Sequence, residues 1–189
     1  MMKVCIIDWG RERSRERLAD VLPGRWRHVE AVAVRAELAR AVVGGDGDLL
    51  VAAALLHDVG YAPSLAATGF HPLDGARYLR LLGAEDRLCG LVAFHTCARL
   101  EAELRALNRE LEGEFVDEAS VVTDALWWAD MTTGPAGELM TPAERIAEIK
   151  QRYGPDDVVM RFITEAEPEL LAAVARTERR LASAGVQPM

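Results

Sequence analysis

Glycine and proline cut this chain into segments whose apolar residues recur every three or four positions, and that punctuation constrains the fold more than any other feature. After Pro23-Gly24, residues 25–43 read as a helix that ends at Gly44-Gly45. Residues 48–59 read as a second helix, stopped by Gly60 and Pro63. In "HPLDGARYLRLLG", Pro72 suits the first helical turn and Gly83 the position past the end. Residues 85–97 and 117–130 supply two more helices, and 98–112 a charged helical excursion between them. "TPAERIAEIKQRYG" offers a threonine cap, a proline behind it and a terminal glycine; a last helical stretch runs from about Asp156 to Leu181, interrupted near Pro168. "VCIID" near the start is the one strand candidate. The expectation is an all-α single domain.

Composition narrows the function classes. The 189 residues suffice for one core, and with half of them hydrophobic but only 6% aromatic they favour packed helices. The apolar run "LLVAAALL" is far too short to span a bilayer, which argues against a membrane protein. In "MMKVCIIDWGRERSRER" the charges follow the apolar patch, the reverse of a secretory signal, so none is read. A net charge of −8 argues against nucleic acid as a partner and implies that a small anionic substrate would need local positive charge. Cys5, Cys89 and Cys97 form no Cys-x-x-Cys pair, which suits reduced thiols and a cytoplasmic location.

"LLHDVGYAP" (55–63) carries an ionisable pair at the end of a helix built for burial. A buried carboxylate is expensive unless it is neutralised, by a metal ion or by a hydrogen-bonded partner. The other histidines sharpen the choice. His28 shares a face with Val32, Ala36 and Ala39; His57 with Leu50, Ala53 and Ala54; His95 with Leu88, Leu91 and Val92; Asp130 with Val122 and Leu126. His71 holds the cap position before Pro72. Several imidazoles and two carboxylates thus point inward from different helices, and metal coordination compensates them all at once. Imidazole and carboxylate donors without clustered thiolates suit Fe or Mn, with Co, Ni or Zn as further options.

The order His28, His57-Asp58, then a distant Asp130 resembles the HD-domain superfamily of metal-dependent phosphohydrolases. "AALLHDVGY" is similar to its central motif and "WWADMTTGP" to the segment carrying its last aspartate. His71 in "FHPLDGARYL" and His95 in "LVAFHT" resemble the extra ligands of the subset that holds two metals. The resemblance implies an HD-domain-like helical bundle, with a 1–24 N-terminal helical extension, a 25–135 metal-binding core and 136–189 helices packing on it. It implies a first metal on His28, His57, Asp58 and Asp130, and a second on His71 and His95, with Asp58 bridging two divalent transition-metal ions and serving as a catalytic residue.

Where many relatives have a lysine three residues after the HD aspartate, this chain has Tyr61, suited to packing or to bonding a substrate. Arg99, four residues after His95, is expected one turn along the same helix face and is the second catalytic candidate, holding an anionic group. Thr132 and Thr133 suit outer donors or turn chemistry, and Trp127 and Trp128 the core. The implied activity is hydrolysis of a small phosphomonoester or nucleotide. The alternative is a di-iron oxygenase acting on a polyol or phosphonate, because the superfamily's oxygenases share the same ligand set. A nucleotide-sensing regulatory protein is a third reading, disfavoured because the sequence carries no attached effector domain. The chain is also compatible with a homo-oligomer.

Overall fold

A computed structural model describes residues 5–187 of the chain. Among these residues the regular elements are ten α-helices and three short 3₁₀ turns, with one isolated antiparallel bridge between Thr133 and Leu139. The helices are α1 (Ile6–Leu18), α2 (Pro23–Val43), α3 (Gly47–Leu56), α4 (His71–Leu81) and α5 (Asp86–Ala93), then α6 (Ala98–Leu104), α7 (Asn108–Glu114), α8 (Val121–Met131), α9 (Pro142–Arg152) and α10 (Val158–Ser183). The fold is all-α, as the punctuation implies.

Helix α3 is the axis of the molecule. From Leu50 to Leu56 every residue is buried, the mark of a helix covered on all sides. It packs against α1, α2, α5 and α8. The small side chains of Ala52, Ala53 and Ala54 let neighbours approach, and Leu50, Leu55 and Leu56 fill the layer between them. Each such leucine contributes about 1.5–3 kcal/mol by leaving water. On α1, Gly10 faces the same helix, where an added Cβ would meet the Leu56 side chain at 3.3 Å. Helix α10 closes the other side against α8, α6, α9 and α2. None of the described helices is long and apolar enough to cross a membrane.

Three expectations about elements need correction. Ile6–Asp8 of "VCIID" lie in the first turn of α1, with Cys5 as its extended cap, while Val4 lies outside the described residues. Ile6 and Ile7 pack on the core as helical residues, and no strand stands among the described residues for them to pair with. Pro168 does not interrupt the last helix: α10 runs unbroken from Val158 to Ser183. Pro168 and Thr164, whose carbonyl the proline leaves without its usual donor, are both exposed, so water can satisfy that group. Burial of Phe162, Ile163, Ala166 and Leu170 around the proline offsets its cost. The helix expected over 85–97 stops at Ala93, with consequences for the site.

Two glycines bring the site's halves together. Gly60, in the 3₁₀ turn Val59–Tyr61, sits against the start of α4, where an added Cβ would fall 2.6 Å from the Gly75 nitrogen. Gly75, one turn into α4, faces back, its own Cβ position 3.1 Å from the Gly60 nitrogen. The turn that follows His57-Asp58 is thereby seated on the helix that begins with His71. Asp74 fixes the loop between them, its carboxylate accepting from the backbone N–H groups of Ala67, Thr68 and Gly69.

Candidate metal centre

Four elements deliver the four histidines to one point. His28 stands one turn into α2, His57 caps the end of α3, His71 opens α4 and His95 begins the 3₁₀ turn His95–Cys97. Asp58 follows His57, and Asp130 arrives from the last turn of α8. His71 is partly exposed; the other five side chains are buried.

Their donor atoms fall into two groups, His28, His57 and Asp130 in one, Asp58, His71 and His95 in the other, each within 4.8 Å internally. Asp58 faces both. Its Oδ2 lies 3.3 Å from His57 Nε2 and 3.7 Å from His28 Nε2, and its Oδ1 lies 3.3 Å from His71 Nε2 and 3.9 Å from His95 Nε2. Across the first group, His28 Nε2 is 3.1 Å from Asp130 Oδ1. The six residues singled out in the sequence are thus brought together, with one carboxylate between the two halves.

Backbone carbonyls set the tautomers. The Nδ1 atoms of His28, His57 and His95 lie 2.9, 2.7 and 2.7 Å from the carbonyl oxygens of Gly134, Ala54 and Val92. A carbonyl only accepts, so each Nδ1 carries the proton and donates it. In the neutral ring each Nε2 lone pair then points inward, the arrangement by which second-shell bonds orient metal-binding imidazoles. His57 Nε2 is fully buried and makes no aligned hydrogen bond, despite its 3.3 Å approach to Asp58. His71 Nε2 and His95 Nε2 face each other at 3.1 Å, a contact that two lone pairs would make repulsive. An orphaned nitrogen, two imidazole nitrogens crowded together and two carboxylates in one buried space fit divalent cations, and HD domains bind such ions.

The titration behaviour reflects crowding of charge. Burial alone would raise the Asp58 carboxyl, but Arg25 and His57 outweigh it and hold the group well below the usual carboxylate range. Asp130 is likewise lowered against its burial, chiefly by its hydrogen bond with His28. Burial would lower His57, yet Asp58 and Asp130 carry it up to about 8. His95 goes the other way, down to about 3, because burial is reinforced by neighbouring His71 and His57.

A cavity of about 380 Å³ opens over this cluster. Arg25, Arg105, Arg145 and Arg152 line it, beside the acidic Glu101 and Asp157. Arg25 donates to Asp58 Oδ2 at 2.7 Å and lies over the Tyr61 ring, 4.2 Å from its centroid. Tyr61 in turn stacks on His71 with centroids 3.9 Å apart, so the residue at the lysine position packs against a candidate ligand and also lines the cavity.

Arg99 is not brought to the cluster. It lines a separate cavity with Leu100, Asp117, Trp127 and Arg176. The expectation assumed helical geometry through His95, but Thr96 (φ 49°) and Cys97 (φ 57°) are left-handed, and a new helix starts at Ala98. The four-residue spacing no longer marks a shared face. Thr132 and Thr133 also turn away from the ligands, their hydroxyls donating to the Trp128 and Ala129 carbonyls of α8 at 2.7 and 2.8 Å. The donor that does reach the cluster is Thr96, whose hydroxyl bonds Asp130 Oδ2 at 2.7 Å. Arg25 was discoverable from its place three residues before His28 in the first turn of α2; nothing local marks Arg145.

The HD domain family model matches residues 25–125, more than half of the chain, and the chain belongs to that family. The superfamily's general chemistry is metal-dependent phosphohydrolysis. Asp130 and the arginines of α9 lie beyond the matched stretch. Comparisons with curated proteins and with solved structures give no match.

Proposed function

We propose that this protein is a metal-dependent phosphohydrolase that acts on a small phosphomonoester or nucleotide through a dinuclear centre. The observation that carries the reading is Asp58, placed between two three-donor groups beneath a cavity lined by four arginines. His28, His57 and Asp130 would hold one divalent ion and His71 and His95 the other, with Asp58 shared. The donor set is imidazole and carboxylate only, which suits Fe or Mn first and Co, Ni or Zn as substitutes. Bound ions of this kind supply Lewis acidity and an acidified water.

The chain's own residues prepare the rest. Thr96 holds one oxygen of Asp130, leaving the other directed toward His28. The backbone-anchored Nδ1 groups keep three imidazoles in the tautomer that presents Nε2. The arginines favour an anion in a cavity whose floor carries two carboxylates, countering the repulsion those carboxylates would exert on a phosphoryl group. Ile149 of α9 and Phe162 of α10 add apolar wall to the cavity.

The test is anaerobic turnover of a panel of phosphomonoesters and nucleotides by manganese-loaded protein, read as inorganic phosphate released. Phosphate release without oxygen is the expected result. Substrate-dependent oxygen uptake by the iron-loaded protein, with no anaerobic hydrolysis, would replace this reading with the di-iron oxygenase.

A further inference from the structure

Of the four arginines lining the cavity, three have commitments that account for them. Arg25 is bonded to Asp58 and lies over Tyr61. Arg105 places both Nε and Nη2 on Glu101. Arg152 places Nε and Nη2 on Glu148 and has a side chain 35% exposed. Arg145 differs. Only 5% of it is exposed, its Nη1 donates to Glu148, and its buried Nε has no hydrogen-bond partner.

A guanidinium offers five N–H donors, and leaving one unpaired in the interior costs about 1–3 kcal/mol. The fold takes trouble to hold Arg145 in that condition. Helix α9 starts from a reciprocal capping box, with Thr141 accepting from the Glu144 N–H and the Glu144 carboxylate accepting from the Thr141 N–H. Arg145 follows directly, its own N–H bonded to the Thr141 carbonyl at 2.9 Å. It therefore stands on a fixed first turn, in the same cavity wall as Asp58, His71, His95 and Asp130.

We propose that Arg145 is the substrate-anion residue of this site, its guanidinium receiving the non-reacting oxygens of a phosphomonoester dianion whose phosphoryl group lies over the His/Asp cluster. This inference rests on the phosphohydrolase reading and assigns to α9 the role expected of Arg99 from the sequence. A forked guanidinium meets two phosphoryl oxygens in one plane, which an ammonium cannot do.

The experiment uses manganese-loaded protein and inorganic phosphate as the probe, with binding measured by calorimetry alongside hydrolysis of p-nitrophenyl phosphate. Arg145→Gln should weaken phosphate binding about ten- to a hundred-fold and raise KM more than it lowers kcat, with metal content unchanged. Arg145→Lys keeps a cation near Glu148 and Asp130 but lacks the fork; it should fold even where the glutamine variant does not, and bind phosphate at least several-fold more weakly than wild type. Wild-type phosphate affinity in Arg145→Lys overturns the assignment, as does a variant that melts early yet binds phosphate normally. If wild-type protein binds phosphate in an Arg145-dependent way but hydrolyses no ester, the anion site stands and the hydrolase reading falls. If wild type hydrolyses esters and Arg145→Gln binds phosphate as tightly, the reverse holds.

Discussion

Gly60 lies against the first residue of the next helix so closely that an added Cβ would fall 2.0 Å from the His71 carbonyl oxygen. No rotamer change relieves such a contact, because the opposing atoms are backbone. The contact joins the turn that follows His57 and Asp58 to the helix opened by His71. Gly60→Ala must push α4 away from the turn. We expect a loss of roughly 2–4 kcal/mol, within the range of overpacked core sites, and a weakened second metal position. Thermal unfolding together with elemental analysis checks both; an unchanged melting temperature with full metal content would show that the turn relaxes freely.

Metal stoichiometry tests the shared carboxylate. Asp58 presents one oxygen to each donor group, whereas His71 belongs to one group alone. Wild-type protein should retain close to two ions per chain, His71→Ala mainly one, and Asp58→Ala should disturb both. A single ion in replete protein, unaffected by His71→Ala, leaves only a mononuclear centre.

Thr96 is held at φ 49° and spends its hydroxyl on Asp130. Hydrogen bonds to a charged group contribute about 1.5–3 kcal/mol, and outer-shell partners of this kind typically change metal affinity ten- to a hundred-fold. Thr96→Val should weaken the ion held by His28, His57 and Asp130, while Thr96→Ser, which keeps the hydroxyl, should not. Competition with a chromogenic chelator separates the two variants; equal affinities would reduce Thr96 to a backbone role.

The candidate ligands were legible because helical periodicity places them. His28 and Asp130 lie where the three-and-four spacing puts them, on inward faces of α2 and α8. His57 and His95 stand just past the ends of α3 and α5, near enough for the same spacing to point them inward. Arg99 was misplaced because the spacing was carried across Thr96 and Cys97, whose left-handed conformations leave no mark in residue types that usually avoid it. Arg145 was illegible for another reason: it comes to the cavity wall only through the tertiary packing of α9, some fifteen residues beyond Asp130 and with no local motif.

Arg99 now has a definite expectation of its own. Lining a different cavity, beside Trp127 and Arg176, it has no route to a phosphoryl group over the histidines. Arg99→Ala should leave metal content unchanged and kcat/KM for phosphomonoesters within about twofold of wild type, well under the factor of ten that 1.4 kcal/mol represents. A tenfold loss in kcat/KM with intact metal would return Arg99 to the active site.

The acid limb of stability should report Asp124. This carboxylate, buried on α8, accepts from Arg176 Nε and Nη2 and from Arg180 Nη1, tying α8 to α10. Burial pushes its pKa up, but the two guanidinium groups outweigh burial and leave it below the ordinary value. A depressed folded-state pKa means that the ionised form stabilises the fold: the contribution is complete above the unfolded value near ~3.9 and is lost as pH falls through the folded value. Both arginines are about one-third exposed, so solvent screening limits the effect, and about 1–2 kcal/mol is expected at neutral pH. Asp124→Asn should therefore melt below wild type at pH 7, with the gap narrowing as the pH drops below about 4. Denaturant titrations at a series of pH values measure that gap directly, and a difference independent of pH would assign the loss to packing of the side chain rather than to its charge.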